Sequence, residues 1–281
     1  MTVGELRKET KANIETFMPG EAAVVTDLVL CNITGIAREN LYLYLDDELP
    51  TQAEIIVAEV IKRLSRGVPI QYIVGSCFFF GIEIKVGPGV FIPRSDTEVL
   101  AQAAIKALPK NGSFVDLCAG SGCISAAIAN ERKDSKGIAL ELSMKAMNYT
   151  VENLKDFDNV EVKRFDALDE DDYDILAEEY PEKFDMLVCN PPYIPTEDID
   201  TLQTQVHFEP ETALDGGEDG MKYYKIIPKL APKILKEHHY IMFEVGIGQA
   251  GYVEALMKLY GYTTAILKDL GGIDRVVIAA K

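Results

Sequence analysis

Residues Asn190, Pro191, Pro192 and Tyr193 form the segment of this chain best suited to chemistry. They follow the apolar run 186–189, which predicts a buried strand that ends here. Proline has no backbone N–H, so the segment offers carbonyl acceptors with few competing donors. Asn190 adds a side-chain carbonyl and Tyr193 a flat ring. This combination suits the NH2 group of a planar amide or of an exocyclic amine, although a strand followed by a rigid turn could have the same sequence.

A second candidate site follows another predicted strand, whose last two residues are Asp116 and Leu117. The loop after it consists of Cys118, Ala119, Gly120, Ser121 and Gly122. Its two glycines let the backbone turn sharply and approach a ligand closely. Ser125 stands where a full Gly-x-Gly-x-x-Gly pattern has its third glycine, and we expect a helix to begin near it. Alone, this spacing is weak support for a nucleotide site.

Acidic residues at the ends of the next two predicted strands strengthen that interpretation. Glu141, followed by Leu142, lies about 20 residues beyond the loop, where an acid can accept hydrogen bonds from ribose hydroxyls. The next strand ends at Asp166 and Ala167, where an adenine ring would rest and Asp166 could accept from its amine. Both carboxylates could instead be exposed charges at strand ends.

The ligand that these features favour is S-adenosylmethionine. A dinucleotide usually needs the full glycine pattern for its pyrophosphate. S-adenosylmethionine has no phosphate and needs close backbone approach, an acid for the ribose and a polar surround for its sulfonium and amino groups. Asp116 suits the last purpose. Phe91 could line the same pocket or simply pack within its own segment. The expected product is S-adenosylhomocysteine.

Composition restricts the partners of the chain. Its 281 residues carry a formal net charge of −17, which opposes binding to a phosphate backbone and would suit a basic protein partner, although solubility alone could explain it. No apolar run reaches the roughly 18 residues of a membrane span, and the first residues do not resemble a signal peptide. Five cysteines without a Cys-x-x-Cys pair predict reduced thiols in the cytoplasm. Three histidines without ligand spacing predict no metal site.

Hydrophobic periodicity predicts three regions. Residues 1–75 are predicted to form a helical domain, in which Thr51 and Glu54 make a capping box. Residues 76–95 are predicted to be a β-hairpin linker, with its turn at 87–89 and a second strand at 90–92. From residue 96 to 281, seven strand candidates alternate with helices, which predicts a doubly wound, mostly parallel α/β sheet. The candidates are 113–117, 137–141, 160–163, 185–189, 240–245, 263–267 and 275–279.

The order of Asp116, the glycine loop, Glu141 and Asn190-Pro-Pro-Tyr193 resembles class I S-adenosylmethionine-dependent methyltransferases with a Rossmann-like seven-stranded sheet. Other segments, spread over almost the whole chain, resemble the HemK/PrmC family in particular. They are Pro69-Ile-Gln-Tyr72-Ile-Val-Gly75, Phe91-Ile-Pro-Arg94-Ser-Asp-Thr-Glu98, Glu209-Pro210, Ala213-Leu-Asp-Gly-Gly217, Asp219-Gly220, Glu244-Val-Gly246 with Gln249, and Asp269-Leu270 with Asp274-Arg-Val-Val277. The chain departs from the family pattern at Ser95-Asp96, Ala119 and Glu141, where Pro-Glu, Thr and Asp are usual.

The resemblance implies a function and a partner. That family methylates the side-chain amide of the glutamine in the Gly-Gly-Gln loop of class I peptide chain release factors. The helical domain would dock the release factor, and Asn190 with the Pro191 carbonyl would accept hydrogen bonds from the substrate NH2. The chain is expected to work as a monomer in the cytoplasm, without direct contact with nucleic acid or membrane.

Several alternatives stay open from the sequence. A related enzyme acting on a glutamine of a ribosomal protein would share most motifs, and an adenine-amine methyltransferase of DNA or RNA would use the same acceptor set on an extruded base. A non-catalytic module with a degenerate fold and a nicotinamide-dependent oxidoreductase fit the motifs less well. Arg94 could support a substrate loop or form an exposed ion pair, and Arg275 is expected to pair with Asp269 or Asp274.

Overall fold

Two compact units make up the chain in a computed structural model, which describes residues 1–281. The first unit contains Met1–Ser76 together with the short segment Gln203–Phe208. The second contains Cys77–Leu202 and Glu209–Lys281. Each unit has its own cluster of buried apolar side chains. No helix in the chain combines the length and the apolar character that crossing a bilayer requires.

The first unit is built from four α-helices: α1 (Val3–Glu15), α2 (Ala22–Thr34), α3 (Thr51–Leu64) and α4 (Ile70–Val74). A 3-10 helix, Arg38–Leu43, connects α2 and α3. Apolar residues of every helix meet in one core, in which Ile14, Leu30 and Leu41 are fully buried. This helical character agrees with the sequence expectation.

The helix caps differ from the prediction. Pro50 occupies the N-cap position of α3 and Thr51 is already its first helical residue, so the prediction that Thr51 and Glu54 form a capping box is wrong. A capping box is present instead at α1, where the Thr2 hydroxyl accepts from the Glu5 N–H and the Glu5 carboxylate accepts from the Thr2 N–H.

A two-stranded hairpin follows the helices, formed by β1 (Ser76–Phe79) and β2 (Ile82–Lys85). Its turn is Phe80-Gly81, and both residues have positive φ, 52° and 76°. Such a two-residue turn matches the right-handed twist of the paired strands. A turn is also present at 87–90, where the Val90 N–H donates to the Gly87 carbonyl at 3.3 Å, as predicted. It does not close the hairpin, which has already closed before residue 87, and residues 90–92 are not a strand, so these two parts of the prediction are wrong.

A seven-stranded sheet forms the centre of the second unit. Its strands are β3 (Ser113–Leu117), β4 (Lys136–Glu141), β5 (Val160–Arg164), β6 (Phe184–Cys189), β7 (Leu235–Glu244), β8 (Thr263–Lys268) and β9 (Asp274–Ala280). The order is β5-β4-β3-β6-β7-β9-β8, and β9 runs antiparallel to both of its neighbours. The predicted Rossmann-like fold with seven strands is confirmed.

Helices accompany this sheet along the chain: α5 (Glu98–Ala107), α6 (Cys123–Glu131), α7 (Met144–Leu154), α8 (Glu170–Glu179), α9 (Lys222–Leu230) and α10 (Ala250–Leu259). Residues 123–129 of α6 are all buried, as are most residues of β3 and β6. β3 pairs with β4, the next strand along the chain, on one side and with β6 on the other. The carboxyl ends of β3 and β6 thus flank a topological switch point, where open α/β sheets form ligand crevices.

Candidate active site

Asp116 lies on β3, next to the switch point, and is completely buried. Its Oδ2 accepts hydrogen bonds from the Ser125 backbone N–H (3.0 Å) and hydroxyl (2.7 Å). The carboxylate therefore caps α6, which begins at Cys123, two residues before the predicted start. Its Oδ1 is buried without a partner. Desolvation raises the pKa of Asp116 to about 7, although the Ser125 hydrogen bonds oppose this shift.

The loop after β3 needs left-handed backbone at three positions: Cys118 (φ 61°), Gly120 (φ 57°) and Gly122 (φ 78°). The two glycines differ in their surroundings. A Cβ at Gly120 would meet only the Cys118 carbonyl oxygen, 4.0 Å away. A Cβ at Gly122 would lie 3.0 Å from Thr150 Cγ2, on α7. Gly120 thus leaves open space for a ligand, whereas Gly122 allows close packing of the loop on a helix.

Glu141, the last residue of β4, holds this loop in place. Its Oε2 accepts from the Gly120 N–H and its Oε1 from the Ser143 N–H, each at 2.7 Å. Burial raises the pKa of Glu141, and these backbone hydrogen bonds counteract the rise. A carboxylate has about four acceptor positions, so two hydrogen bonds leave capacity for hydroxyl donors.

The other predicted cofactor contacts are spread along the same edge of the sheet. Asp166 is partly exposed, and its Oδ1 accepts from the Leu168 N–H at 2.9 Å. Ala167 is buried, whereas Leu142 is 44% exposed. Ala119 and Ser121 are buried in the glycine loop. The parallel register places the ends of β3, β4 and β5 side by side, so these residues follow neighbouring strands as predicted.

Asn190 emerges from the end of β6, between β3 and β7, where Cys189 pairs with both Leu117 and Phe243. Its Nδ2 points to the Thr97 hydroxyl oxygen, 3.4 Å away. Its Oδ1 therefore faces the opposite way. Pro191 and Pro192 are buried, and the Pro191 carbonyl accepts no backbone hydrogen bond. That these two oxygens accept from a substrate stays a prediction.

Tyr193 is held by contacts that the sequence did not reveal. The Gln249 amide donates to the Tyr193 carbonyl at 2.9 Å and accepts from the Gly246 N–H, also at 2.9 Å. Gly216 and Gly220 approach so closely that a Cβ there would lie 2.7 and 2.4 Å from Tyr193 backbone atoms. Burial raises the pKa of the phenol to about 12, so it stays protonated at neutral pH.

Phe91 and Arg94 form a cluster with Glu209. The guanidinium of Arg94 lies 4.7 Å from the centroid of the Phe91 ring and forms an ion pair with Glu209. Glu209 is buried and also accepts from the Ile92 N–H at 2.9 Å. Arg94 therefore has a partner that joins residues 91–94 to a distant loop. Arg275 pairs with Asp269 at 3.1 Å, as expected, and contacts Asp96 at 3.4 Å.

These residues fit S-adenosylmethionine. The unpartnered Asp116 Oδ1 would be satisfied by the cationic amino group of such a ligand. Glu141 has acceptor capacity for ribose hydroxyls, and Gly120 provides room for close approach. Nothing at the loop resembles a full phosphate-binding pattern, which agrees with a ligand that lacks phosphate.

Comparison with protein families identifies both parts of the chain. Residues 5–75 match the family model described as PrmC N-terminal domain, and residues 81–214 match the methyltransferase small domain. A release factor glutamine methyltransferase of Thermodesulfovibrio yellowstonii is 36% identical over 90% of this chain and 90% of its own. The protein of the same name from Geobacter sulfurreducens is 34% identical over 91% of this chain and 88% of its own.

Solved structures share the fold at low sequence identity. The hMettl16 catalytic domain in complex with an RNA hairpin has a TM-score of 0.53 and 14% identity, covering 82% of this chain and 81% of its own. A methyltransferase from Pyrococcus furiosus has a TM-score of 0.51 and 14% identity, covering 82% of this chain and 97% of its own. The family and the methyltransferase domain imply S-adenosylmethionine as the cofactor. Because these relatives match about nine-tenths of the chain, the chain belongs to the family of release factor glutamine methyltransferases.

Proposed function

We propose that this chain transfers a methyl group from S-adenosylmethionine to the side-chain amide nitrogen of the glutamine in the Gly-Gly-Gln motif of class I peptide chain release factors. One observation carries the proposal: the acceptors of Asn190 and Pro191 follow the strand adjacent to the glycine loop. Relatives that bear the name of this activity match nine-tenths of the chain. A glutamine amide is a planar NH2 donor, which is the group that these acceptors suit.

The bound cofactor would supply an electrophilic methyl group on its sulfonium. The residues of the chain would contribute orientation and electrostatics. Asn190 Oδ1 and the Pro191 carbonyl would each accept one N–H of the substrate amide and fix the direction of the nitrogen lone pair. The same oxygens would stabilise the positive charge that develops on nitrogen as the N–C bond forms and the methyl–sulfur bond breaks, which would leave S-adenosylhomocysteine. One N–H proton then leaves to water, so no side chain has to act as a strong base.

Tyr193 would form the wall beside the substrate amide plane. Its carbonyl and backbone are fixed by Gln249, Gly216 and Gly220, which keeps the ring in one place. The cofactor contacts that we propose are the loop Cys118–Gly122, Asp116, Glu141 with Leu142, Asp166 with Ala167, Asn190, and Phe91. Of these, Glu141 and Asp116 have the acceptor atoms for the ribose and the amino group.

The partner that we propose is the release factor itself, bound by a monomer without nucleic acid or membrane. The net charge of −17 supports a protein partner over a nucleic acid. A substrate that works in translation implies that the chain acts in the cytoplasm. Size-exclusion chromatography with light scattering of the chain, alone and with a release factor, would measure both stoichiometries.

The direct test incubates the chain with S-adenosylmethionine labelled in its methyl group and with a class I release factor. We expect label in the tryptic peptide that contains the Gly-Gly-Gln motif. Three controls are matched to the alternatives: a release factor whose motif glutamine is replaced by alanine, ribosomal proteins, and duplex DNA. Label that persists after loss of the glutamine, or that enters a ribosomal protein or DNA in preference, would contradict the proposal.

A further inference from the structure

Glu244, the last residue of β7, is a buried carboxyl to which the mechanism above assigns no role. Its exposed fraction is only 2%, and its Oε2 forms no hydrogen bond. An unpaired carboxyl oxygen in a protein interior is costly, so its presence calls for a reason. Its position supplies one, because it lies directly behind the proposed amide-binding residue.

The strand register places Glu244 next to Asn190. Cys189 of β6 pairs with Phe243 of β7, and Asn190 and Glu244 are the residues that follow them. The Asn190 amide nitrogen faces the hydroxyl oxygen of Thr97, the N-cap residue of α5. Burial raises the pKa of Glu244, and hydrogen bonding by the side chains of Thr97 and Asn190 opposes the rise.

An asparagine amide can present either its oxygen or its NH2 to a ligand, since the two ends have nearly the same shape. Only the oxygen can accept a hydrogen bond from a substrate NH2. Acceptors behind the amide decide between the two orientations, because they attract the NH2 end and repel the carbonyl end. The Thr97 hydroxyl and the Glu244 carboxyl are such acceptors.

We propose that Glu244, together with Thr97, is a positioning residue that holds the NH2 of Asn190 inward and so presents Oδ1 to the substrate amide. The inference rests on the proposed function, because it concerns the orientation of the group that binds the substrate. Glu244 does not touch the substrate and acts through Asn190 alone. Its own backbone is fixed by a hydrogen bond from the Tyr224 hydroxyl to the Glu244 carbonyl, at 2.8 Å.

The test is a double-mutant cycle on methyl transfer to a release factor. Glu244→Met keeps the length of the side chain and removes both acceptor oxygens. We expect it to lower kcat by about tenfold or more while the Kd for S-adenosylmethionine, measured by calorimetry, stays within about twofold. In the Asn190→Ala background, Glu244→Met should lower the residual rate no further, because residues that act as one unit are not additive.

Two matched variants separate positioning from packing. Tyr262→Phe removes a buried hydrogen bond to His239, on the same strand β7 but away from Asn190, and should lower the Tm with kcat unchanged. Glu244→Gln keeps one acceptor oxygen and should recover part of the rate that Glu244→Met loses. If the Met variant fails to fold, the same cycle with Glu244→Gln and with Thr97→Val decides the question.

Wild-type turnover of Glu244→Met, or an equal loss of rate with and without Asn190, would overturn the inference. A rise in KM for the release factor at unchanged kcat would also overturn it, since a misoriented Oδ1 must slow the chemical step. If the wild-type chain itself does not label the release factor, the proposed function fails instead. The two failures are therefore distinguishable.

Discussion

At the scale of single residues, the candidate site depends on one amide oxygen whose direction is set by its neighbours. The NH2 of Asn190 is directed to Thr97, which leaves Oδ1 as the end that can accept a donor. Pro191 adds a backbone carbonyl without a competing N–H. In the proposed mechanism, hydrogen bonding would select an NH2 substrate, because a substrate without donors would leave these acceptors unsatisfied.

Replacing Asn190 with alanine tests this oxygen. Asn190→Ala should lower kcat by about 10²–10³-fold, since loss of one preorganised polar group costs on the order of 2.7–4 kcal/mol of transition-state stabilisation. Cofactor affinity should largely persist, because Asp116, Glu141 and the glycine loop are untouched. Single-turnover methyl transfer and calorimetry with S-adenosylmethionine measure the two effects. A variant that turns over at the wild-type rate would exclude the proposed role.

Tyr193 offers a second prediction at this scale. Its phenol has a pKa of about 12 because the ring is largely desolvated, so the hydroxyl cannot serve as a base near neutral pH. Tyr193→Phe should therefore keep kcat within about threefold. Tyr193→Ala should remove the wall beside the amide and lower stability, by less than the roughly 3–5 kcal/mol of a fully buried aromatic, because Tyr193 is only partly buried. Steady-state rates and urea unfolding of both variants provide the comparison. A large rate loss in Tyr193→Phe would assign chemistry to the hydroxyl.

At the scale of elements, the turn between β3 and α6 couples ligand approach to helix packing. Glu141 from β4 binds the Gly120 N–H, and the Thr150 hydroxyl of α7 donates to the Gly120 carbonyl at 2.7 Å. Asp116 from β3 caps α6. The loop is therefore fixed by three separate elements, which explains how it can keep a left-handed backbone at Cys118, where a side chain is normally disfavoured.

Gly122→Val tests this coupling. The valine would have to keep the backbone φ of 78°. Its Cβ would lie 3.0 Å from Thr150 and 3.2 Å from Leu154. Left-handed backbone costs about 1–2 kcal/mol and overpacking about 1–3 kcal/mol, so the unfolding free energy should drop by several kcal/mol. Binding of S-adenosylmethionine, followed by calorimetry, should be lost as the loop shifts.

A glycine elsewhere provides the matched control. Gly251 lies in α10, and a Cβ there would meet nothing within 4 Å. Gly251→Ala should raise stability by about 0.5–1 kcal/mol through helix propensity and leave the cofactor Kd unchanged. Unaltered cofactor affinity in Gly122→Val would show that this turn does not form the cofactor site.

At the scale of the whole molecule, two buried carboxyls make stability depend on pH. Burial raises the pKa of Asp116 and of Glu244 to about 7. Between their unfolded values and pH 7, the folded chain holds protons that the unfolded chain has released. The free energy of unfolding should therefore fall as the pH rises through this window. The positive charge of Arg275 reduces the rise in the pKa of Glu244, and the negative charge of Asp96 increases it.

Glu244→Gln isolates one of these groups. Because glutamine does not titrate, the stability of the variant relative to wild type should increase between pH 5 and pH 8, by up to about 3 kcal/mol. Urea unfolding of both proteins across this range gives the difference. Parallel curves for variant and wild type would mean that Glu244 titrates at its ordinary value.

Local patterns in the sequence were sufficient for most of the fold. All seven strands of the main sheet were predicted. For the buried parallel strands β3, β4 and β6, the signal was a short apolar run between turn residues. The start of β7 was missed by five residues, since Lys236, Glu237 and His238 are polar and the register shifts beside Phe184. The hairpin turn was misplaced because Phe80-Gly81 and residues 87–89 both satisfy turn chemistry, and the sequence alone offers no way to choose between them.

By itself, the sequence determined the segments that carry chemistry: Asn190–Tyr193, the glycine loop and Glu141 each have a recognisable local pattern. Only the tertiary structure decided what surrounds them. Thr97 and Glu244 lie far from Asn190 along the chain and reach it only because β6 and β7 end side by side with the start of α5. Gln249 and Gly216 reach Tyr193 in the same way. Hydrogen bonding and close packing depend on distance in space, and a sequence reports distance only along the chain.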